Sequence, residues 1–322
     1  MPSILGTTSL SPRVANILKW SLGAVVIGVL LLRLDTGSVF GYVTQASWPL
    51  VAGALVGLTA IHVVGAATWK VLLSRIAGIV LSWAFTLRTY YAAQAAGSLT
   101  PSNLGADAYR MYAVARVAGH WSSTLAPIAA QRISSYLAIA ALGVVAAVAS
   151  PIPDGARTTV LSLAVGSIAV VVLLAVFLGP KLQIGRSRFL RSLSGASTGC
   201  DRSSWLRAMT LATGLSLVFH VGSVGLGYLL VVAVGGEGAV VPTLAILLLA
   251  RLALLIPFSV SGLGIQEGAA VVLFPMIGME AEIGLAAVLL SRIALLATVA
   301  LGAVFLTSPK RSPGKLDALI HP

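Results

Sequence analysis

The chain has 322 residues, of which 58% are hydrophobic and 9% charged, with a mean hydropathy of +0.99; a soluble globular domain carries about 25% charged residues. A water-soluble fold is excluded, because 30 Asp, Glu, Lys and Arg side chains cannot clothe that much apolar surface, and the apolar residues fall in stretches long enough to cross a bilayer. In a membrane protein the excess of 21 basic over 9 acidic residues, a net charge of +12, points to anionic lipid and not to nucleic acid; the lone Cys200 excludes an intramolecular disulfide and a cysteine metal framework.

Met1 to Lys19 is mixed and polar, and the apolar run Trp20 to Leu32 has no small-residue cleavage site behind it, so it is expected to be a retained span. Spans at about 17–34 and 48–70 precede an interrupted segment at 79–118. Spans at 124–149 and 158–179, a basic segment to 207, and a span at 208–234 follow; a second interrupted segment at 240–278 then leads to a last span at 281–306. The prediction is an all-α polytopic membrane protein. It has six full spans and two helical hairpins, re-entrant or fully spanning, broken by Gly, Ser and Pro. Residues 1–309 form one transmembrane domain and 310–322 a cytoplasmic tail.

With the N-terminus inside, 14 of the 21 basic residues fall on the inner side, while the outer segments hold only Arg33 and Arg157 beside Asp35, Asp154, Glu237, Glu280 and Glu282. The positive-inside rule thus places both termini in the cytoplasm. In the basic segment 180–207, Leu182, Ile184, Phe189, Leu190 and Leu193 interleave with Lys181, Arg186, Arg188 and Arg191. That pattern suits either a topology-setting loop or an interfacial helix on anionic headgroups.

The two interrupted segments repeat one another. Thr100-Pro-Ser-Asn-Leu-Gly-Ala-Asp107 aligns with Ser259-Val-Ser-Gly-Leu-Gly-Ile-Gln-Glu267, and Asp107 to Arg132 and Glu267 to Arg292 are both 25 residues, each arginine being followed by isoleucine. His62-Val63 and His220-Val221 extend the match more weakly. Each histidine is equally a packed, hydrogen-bonded interior side chain. The units, about 48–149 and 208–306, enter the membrane from opposite sides, so the repeat is inverted, an architecture shared by many transporters.

Pro101, Gly97 and Gly105 free backbone groups around Ser98 to Gly105. Ser98, Thr100, Ser102 and Asn103 can cap them, with Asp107 in the first turn of the new helix. The same tip can instead point free N–H groups at an anion, with Arg110 on the Asp107 face and Tyr109 and Tyr112 offered to a headgroup. Ser259, Ser261, Gly264 and Gln266 make a similar second tip. Five arginines, Arg88, Arg110, Arg132, Arg251 and Arg292, fall inside the membrane, where each costs roughly 2.5–3.5 kcal/mol, against two acids, Asp107 and Glu267. The equal spacings suit ion pairs Asp107–Arg132 and Glu267–Arg292. Arg88, Arg110 and Arg251 are then left for a bound phosphate, unless Arg88 or Arg110 snorkels to an interface. The candidate binding set is therefore these five arginines, both acids and the polar residues of the two tips.

No HExxH, GxSxG, Walker loop or paired catalytic carboxylate occurs. Enzymatic activity, a metal and a cofactor are not expected. The motifs Gly97-x-x-x-Pro101-x-x-x-Gly105-x-Asp107-x-x-Arg110 with Arg132, and Ser261-Gly-Leu-Gly-Ile-Gln-Glu267 with Arg292, resemble those of the lysylphosphatidylglycerol synthase transmembrane, or flippase-like, family over nearly the whole chain. The resemblance implies a lipid translocator acting on an aminoacylated phosphatidylglycerol or a polyprenyl-phosphate-linked lipid. With Pro322 as its last residue, the chain is expected to be the membrane domain alone, without an aminoacyl-transferase domain. A non-catalytic subunit presenting a lipid phosphate to a partner synthase or glycosyltransferase, and a small-anion transporter, are the alternatives; an oligomer is compatible with each.

Overall fold

The computed structural model describes residues 35–98, 100, 103–119, 121–149, 158, 162, 166, 202–253 and 263–307. The predicted span at 17–34, almost all of that at 158–179, the basic segment up to Asp201 and the tail 310–322 lie outside them. Among the described residues every regular element is a helix.

Helix α1 (Thr36–Thr44), which the sequence pattern did not announce, starts where the Asp35 carboxylate accepts hydrogen bonds from the Gly37 amide at 2.9 Å and the Ser38 hydroxyl at 2.7 Å. Those bonds hold the Asp35 carboxyl below its ordinary range. Pro49 opens α2 (Trp48–Ala60), and α3 (His62–Ile76) follows after a turn at Ile61. Together they form an apolar stretch of 29 residues. It runs to Ile76 instead of ending near 70 because Lys70 is accommodated, its ammonium donating to the Leu81 carbonyl and lying 5.4 Å from the Trp83 ring centroid.

The first interrupted segment is a pair of helices, α4 (Trp83–Ser98) and α5 (Leu104–Ala118). A single 3₁₀ turn, Trp121–Thr124, leads into α6 (Leu125–Ala149), and α7 (Arg202–Ala233) begins earlier than the predicted 208. The second interrupted segment holds α8 (Val240–Ala253) and α9 (Ile265–Leu273), with a 3₁₀ turn over Phe274–Ile277 before α10 (Ala281–Thr307). Trp48–Ile76, Leu125–Ala146, Ser203–Ala233 and Ala281–Leu306 are long and apolar enough to cross a membrane, at the places predicted for four of the six spans. Their outer faces carry Val56, Val145, Val218, Leu296 and Val304, all well exposed, as a helix facing lipid requires.

Val51, Leu230, Phe274 and Leu290 knit α2, α7, α10 and the turn after α9 into one apolar core. At the same end the Ser47 amide donates to the Ala233 carbonyl at 2.8 Å, and the Tyr42 hydroxyl to the Glu280 carboxylate at 2.6 Å. On the other side of α10, Gly302 lies against α4, where an added Cβ would sit 2.2 Å from the Tyr91 carbonyl oxygen.

The α4–α5 hairpin closes just as tightly. A Cβ on Gly105 would lie 2.3 Å from the Ala96 carbonyl oxygen, which belongs to the backbone and cannot rotate away. Gly105→Ala is therefore expected to cost about 1–3 kcal/mol, as overpacking does, seen as a lowered Tm in detergent. An unchanged Tm would show that the two limbs do not meet there.

Candidate functional site

Several backbone groups among the described residues of the first hairpin's tip are satisfied locally. The Thr100 hydroxyl accepts from the Gly105 amide at 2.8 Å and donates to the Gly97 carbonyl at 3.0 Å, while Ser98 donates to the Ala95 carbonyl at 2.8 Å. The Ala106 amide is taken by the Asn103 carbonyl at 3.1 Å. Of the two roles open to this tip, capping is the one these groups perform, and the amides at Gly105 and Ala106 are not offered to an anion. Thr100 is the cap; Ser102 lies outside the described residues. Asn103, also expected to cap, makes no such bond. It adopts left-handed backbone (φ 59°) and turns its amide to the Gln94 side chain at 3.4 Å.

One turn further, Asp107 stands between two arginines. Arg110 Nη2 donates to Asp107 Oδ1, and Arg132 donates to Oδ2 through both Nη2 and Nε, the latter at 2.8 Å. The predicted Asp107–Arg132 pair is thus formed, and Arg110 shares the carboxylate. Arg110 Nη1 also donates to Gln131 at 2.5 Å, and Gln131 in turn donates to the Gly65 carbonyl at 3.0 Å. The Arg110 guanidinium lies 5.6 Å from the Trp69 ring and 5.7 Å from the Tyr90 ring, so aromatic faces replace part of the water it has lost. It is only 7% exposed, and its buried Nε–H has no partner among the described residues.

These groups line a cavity of about 190 Å³, walled also by Gly65 and Thr68 of α3, Tyr90 and Gln94 of α4, Ser135 and Tyr136 of α6, and Ser216 and Phe219 of α7. One carboxylate between two guanidinium groups gives the cavity a net charge of +1. Arg132 keeps 35% of its side chain exposed. A positive, partly open pocket among long apolar helices is suited to an anion carrying several acceptor oxygens. Here guanidinium donors, and not a helix N-terminus, would hold it.

The second hairpin uses the same spacing differently. Glu267 is 1% exposed; its Oε1 accepts from Arg292 at 2.8 Å and its Oε2 from the Gly264 amide at 2.9 Å. That carboxylate therefore both closes the start of α9 and fastens α9 to α10. Glu267, Arg292, Gly264 and Gln266 line neither of the cavities described here, and Ser259 and Ser261 lie outside the described residues.

The remaining candidates scatter. Arg88 is exposed on α4 and joins neither cavity, as a snorkelling arginine would. Arg251 on α8 reaches the Ser223 carbonyl at 3.5 Å. Tyr109 and Tyr112 face one another, ring centroids 6.5 Å apart, away from both cavities. The histidines are hydrogen-bonded inside, His62 to Gln94 and His220 to Ser135, each at 2.9 Å. Sequence reasoning missed Gln94, Gln131, Ser135, Tyr136 and Ser216. A polar stripe on α6, Gln131, Arg132, Ser135 and Tyr136 in a largely apolar helix, was the available signal.

A protein-family model described as "Lysylphosphatidylglycerol synthase TM region" matches residues 16–302 of this chain. No curated protein matches it.

Proposed function

The chain belongs to the lysylphosphatidylglycerol synthase transmembrane-region family, and from that premise we propose that it moves a phosphate-containing lipid between the leaflets of a prokaryotic cytoplasmic membrane. It is a multi-pass membrane protein related to lipid handling; the leaflet exchange, the lipid class and the location are the proposal. The lipids that fit are an aminoacylated phosphatidylglycerol or a polyprenyl-phosphate-linked lipid. The observation that carries the proposal is the Arg110–Asp107–Arg132 cluster on a positive cavity beside a broken helix.

Phosphate oxygens can exchange for the Asp107 carboxylate on the guanidinium forks, so a headgroup replaces an interaction already present and each arginine stays paired throughout. The acyl or prenyl tails remain in lipid along the exposed apolar helix faces. An inverted pair of hairpins, with both termini cytoplasmic, would let the cavity open to either leaflet in turn. The protein does no covalent chemistry on the lipid, and transport is passive or ion-coupled.

Reconstitution into liposomes with headgroup-labelled reporter lipids tests this. A phosphatidylglycerol reporter is expected to exchange at least about tenfold faster than in empty liposomes, a factor worth about 1.4 kcal/mol. An uncharged glycolipid reporter stays at the empty-liposome rate. Equal rates with and without protein for every reporter would sink the proposal, and counterflow of inorganic phosphate without lipid exchange would replace it with small-anion transport.

A further inference from the structure

A second cavity of about 210 Å³ lies next to the first, lined by His62, Gly97, Ser98, Leu295 and Thr298 together with Gln94 and Asn103. Gln94 and Asn103 line the first cavity too. The two amides therefore form a shared wall, with Asp107, Arg110 and Arg132 on one side and His62 on the other.

The wall is one hydrogen-bonded chain that ends on a titratable group. Asn103 Nδ2 donates to Gln94 Oε1 at 3.4 Å, and Gln94 Nε2 meets His62 Nδ1 at 2.9 Å. With the Gln94 oxygen accepting from Asn103, its NH₂ faces His62, and Nδ1 must accept; the chain assigns His62 the neutral tautomer protonated at Nε2. A proton on Nδ1 sets N–H against N–H. Either Gln94 leaves His62 and the wall between the cavities opens, or both amides turn over and the chain closes again with its direction reversed.

We propose that His62 is a proton-binding site whose protonation releases the Gln94–Asn103 wall and joins the two cavities, coupling proton binding to passage of the anionic headgroup. This rests on the lipid-translocation proposal above. Around His62 the facing side chains are Tyr90 and Tyr91 of α4, with ring centroids 6.4 and 6.2 Å away, and Phe219 of α7 at 5.8 Å. His220 meets Phe219 edge-on, ring centroids 5.4 Å apart, and the charge whose field reaches both histidines is Arg251. No carboxylate contacts the His62 ring among the described residues. An anion entering the first cavity offsets the Arg251 field, so anion and proton each favour the other, as linkage requires. Asn103 suits a moving part because it holds the strained left-handed backbone at the hairpin tip.

Two measurements on the full chain test this. In liposomes, phosphatidylglycerol exchange is expected to rise at least about fivefold from about pH 7 to about pH 4, a window that extends below the free-imidazole range because aromatic rings surround His62, and in His62→Gln to lose that dependence. Independently of lipid exchange, Leu295→Cys in a Cys200→Ser background reports opening of the second cavity by its labelling with a water-soluble thiol reagent. The intrinsic thiol titration cancels when backgrounds with His62 and with His62→Gln are compared at each pH. Labelling that accelerates on acidification only when His62 is present supports the proposal. Equal pH profiles in the two backgrounds overturn it, as does a dependence abolished by His220→Gln and kept in His62→Gln. Absent lipid exchange with a His62-dependent labelling profile would overturn the translocation proposal alone.

Discussion

Arg110→Ala in liposomes is expected to exchange a phosphatidylglycerol reporter at the empty-liposome rate, with Arg110→Lys recovering only a small part of the loss. Three features of the site lead there. Arg110 presents Nη2 to Asp107 and Nη1 to Gln131 while lying over Trp69 and Tyr90. Lysine cannot do these together, because its ammonium is a single point charge without a planar fork. Losing one charge-assisted hydrogen bond costs about 1.5–3 kcal/mol, about a ten- to hundredfold drop in rate if that bond is made to the moving headgroup. The fold should survive, because Asp107 keeps its bonds to Arg132. A Tm within a few degrees of wild type together with abolished exchange is the expected pair of results. Wild-type exchange in Arg110→Ala would remove the cluster from the transport path.

The charged skeleton of this site was legible in the sequence because charge inside a bilayer is expensive and must be explained. Two acids and five arginines within apolar segments, with a repeated interval of 25 residues, are enough to pair Asp107 with Arg132 and Glu267 with Arg292, and both pairs form. The spans at 48–70, 124–149, 208–234 and 281–306 follow from apolar length alone. Spacing could not say that Asp107 would be shared with Arg110 while Glu267 is spent on a helix start. That difference depends on what packs opposite: Gln131 and Tyr90 beside the first acid, and the Gly264 amide above the second. Arg88 entered the candidate set by its place in the first hairpin, but it faces outward from α4 and lines neither cavity. The neutral members of the site, Gln94, Gln131, Ser135 and Ser216, were hidden because one uncharged polar residue in a long apolar helix costs little and is easily satisfied within the bundle. Thr100 as the cap, in place of Asn103, depends on the backbone of Asn103 turning left-handed, which periodicity does not reveal.

The two ion pairs are also expected to answer differently to mutation, and stability measured by reversible unfolding in mixed micelles separates them. Glu267 is buried, and in Glu267→Gln the Arg292 guanidinium, whose side chain is 15% exposed, loses the carboxylate opposite it. Removing one partner of a buried pair costs about 3–5 kcal/mol, whereas replacing both with apolar groups of similar size is often neutral. Glu267→Gln and Arg292→Met should each lose about that much, and the double variant Glu267→Leu with Arg292→Met should recover most of it. Additive losses would mean that the pair carries no coupling and that α9 is fastened to α10 by packing alone. Asp107→Asn should lose less stability, because Arg132 is 35% exposed and can turn to water, and Arg110, though its side chain is only 9% exposed, keeps its bond to Gln131 and the Trp69 and Tyr90 ring faces. It should still reduce exchange, because Arg110 and Arg132 would then meet the headgroup without the anion that keeps them paired between arrivals. On this view one interval of 25 residues, used twice, has been put to two uses: a buried strut in the second hairpin and an exchangeable anion seat in the first.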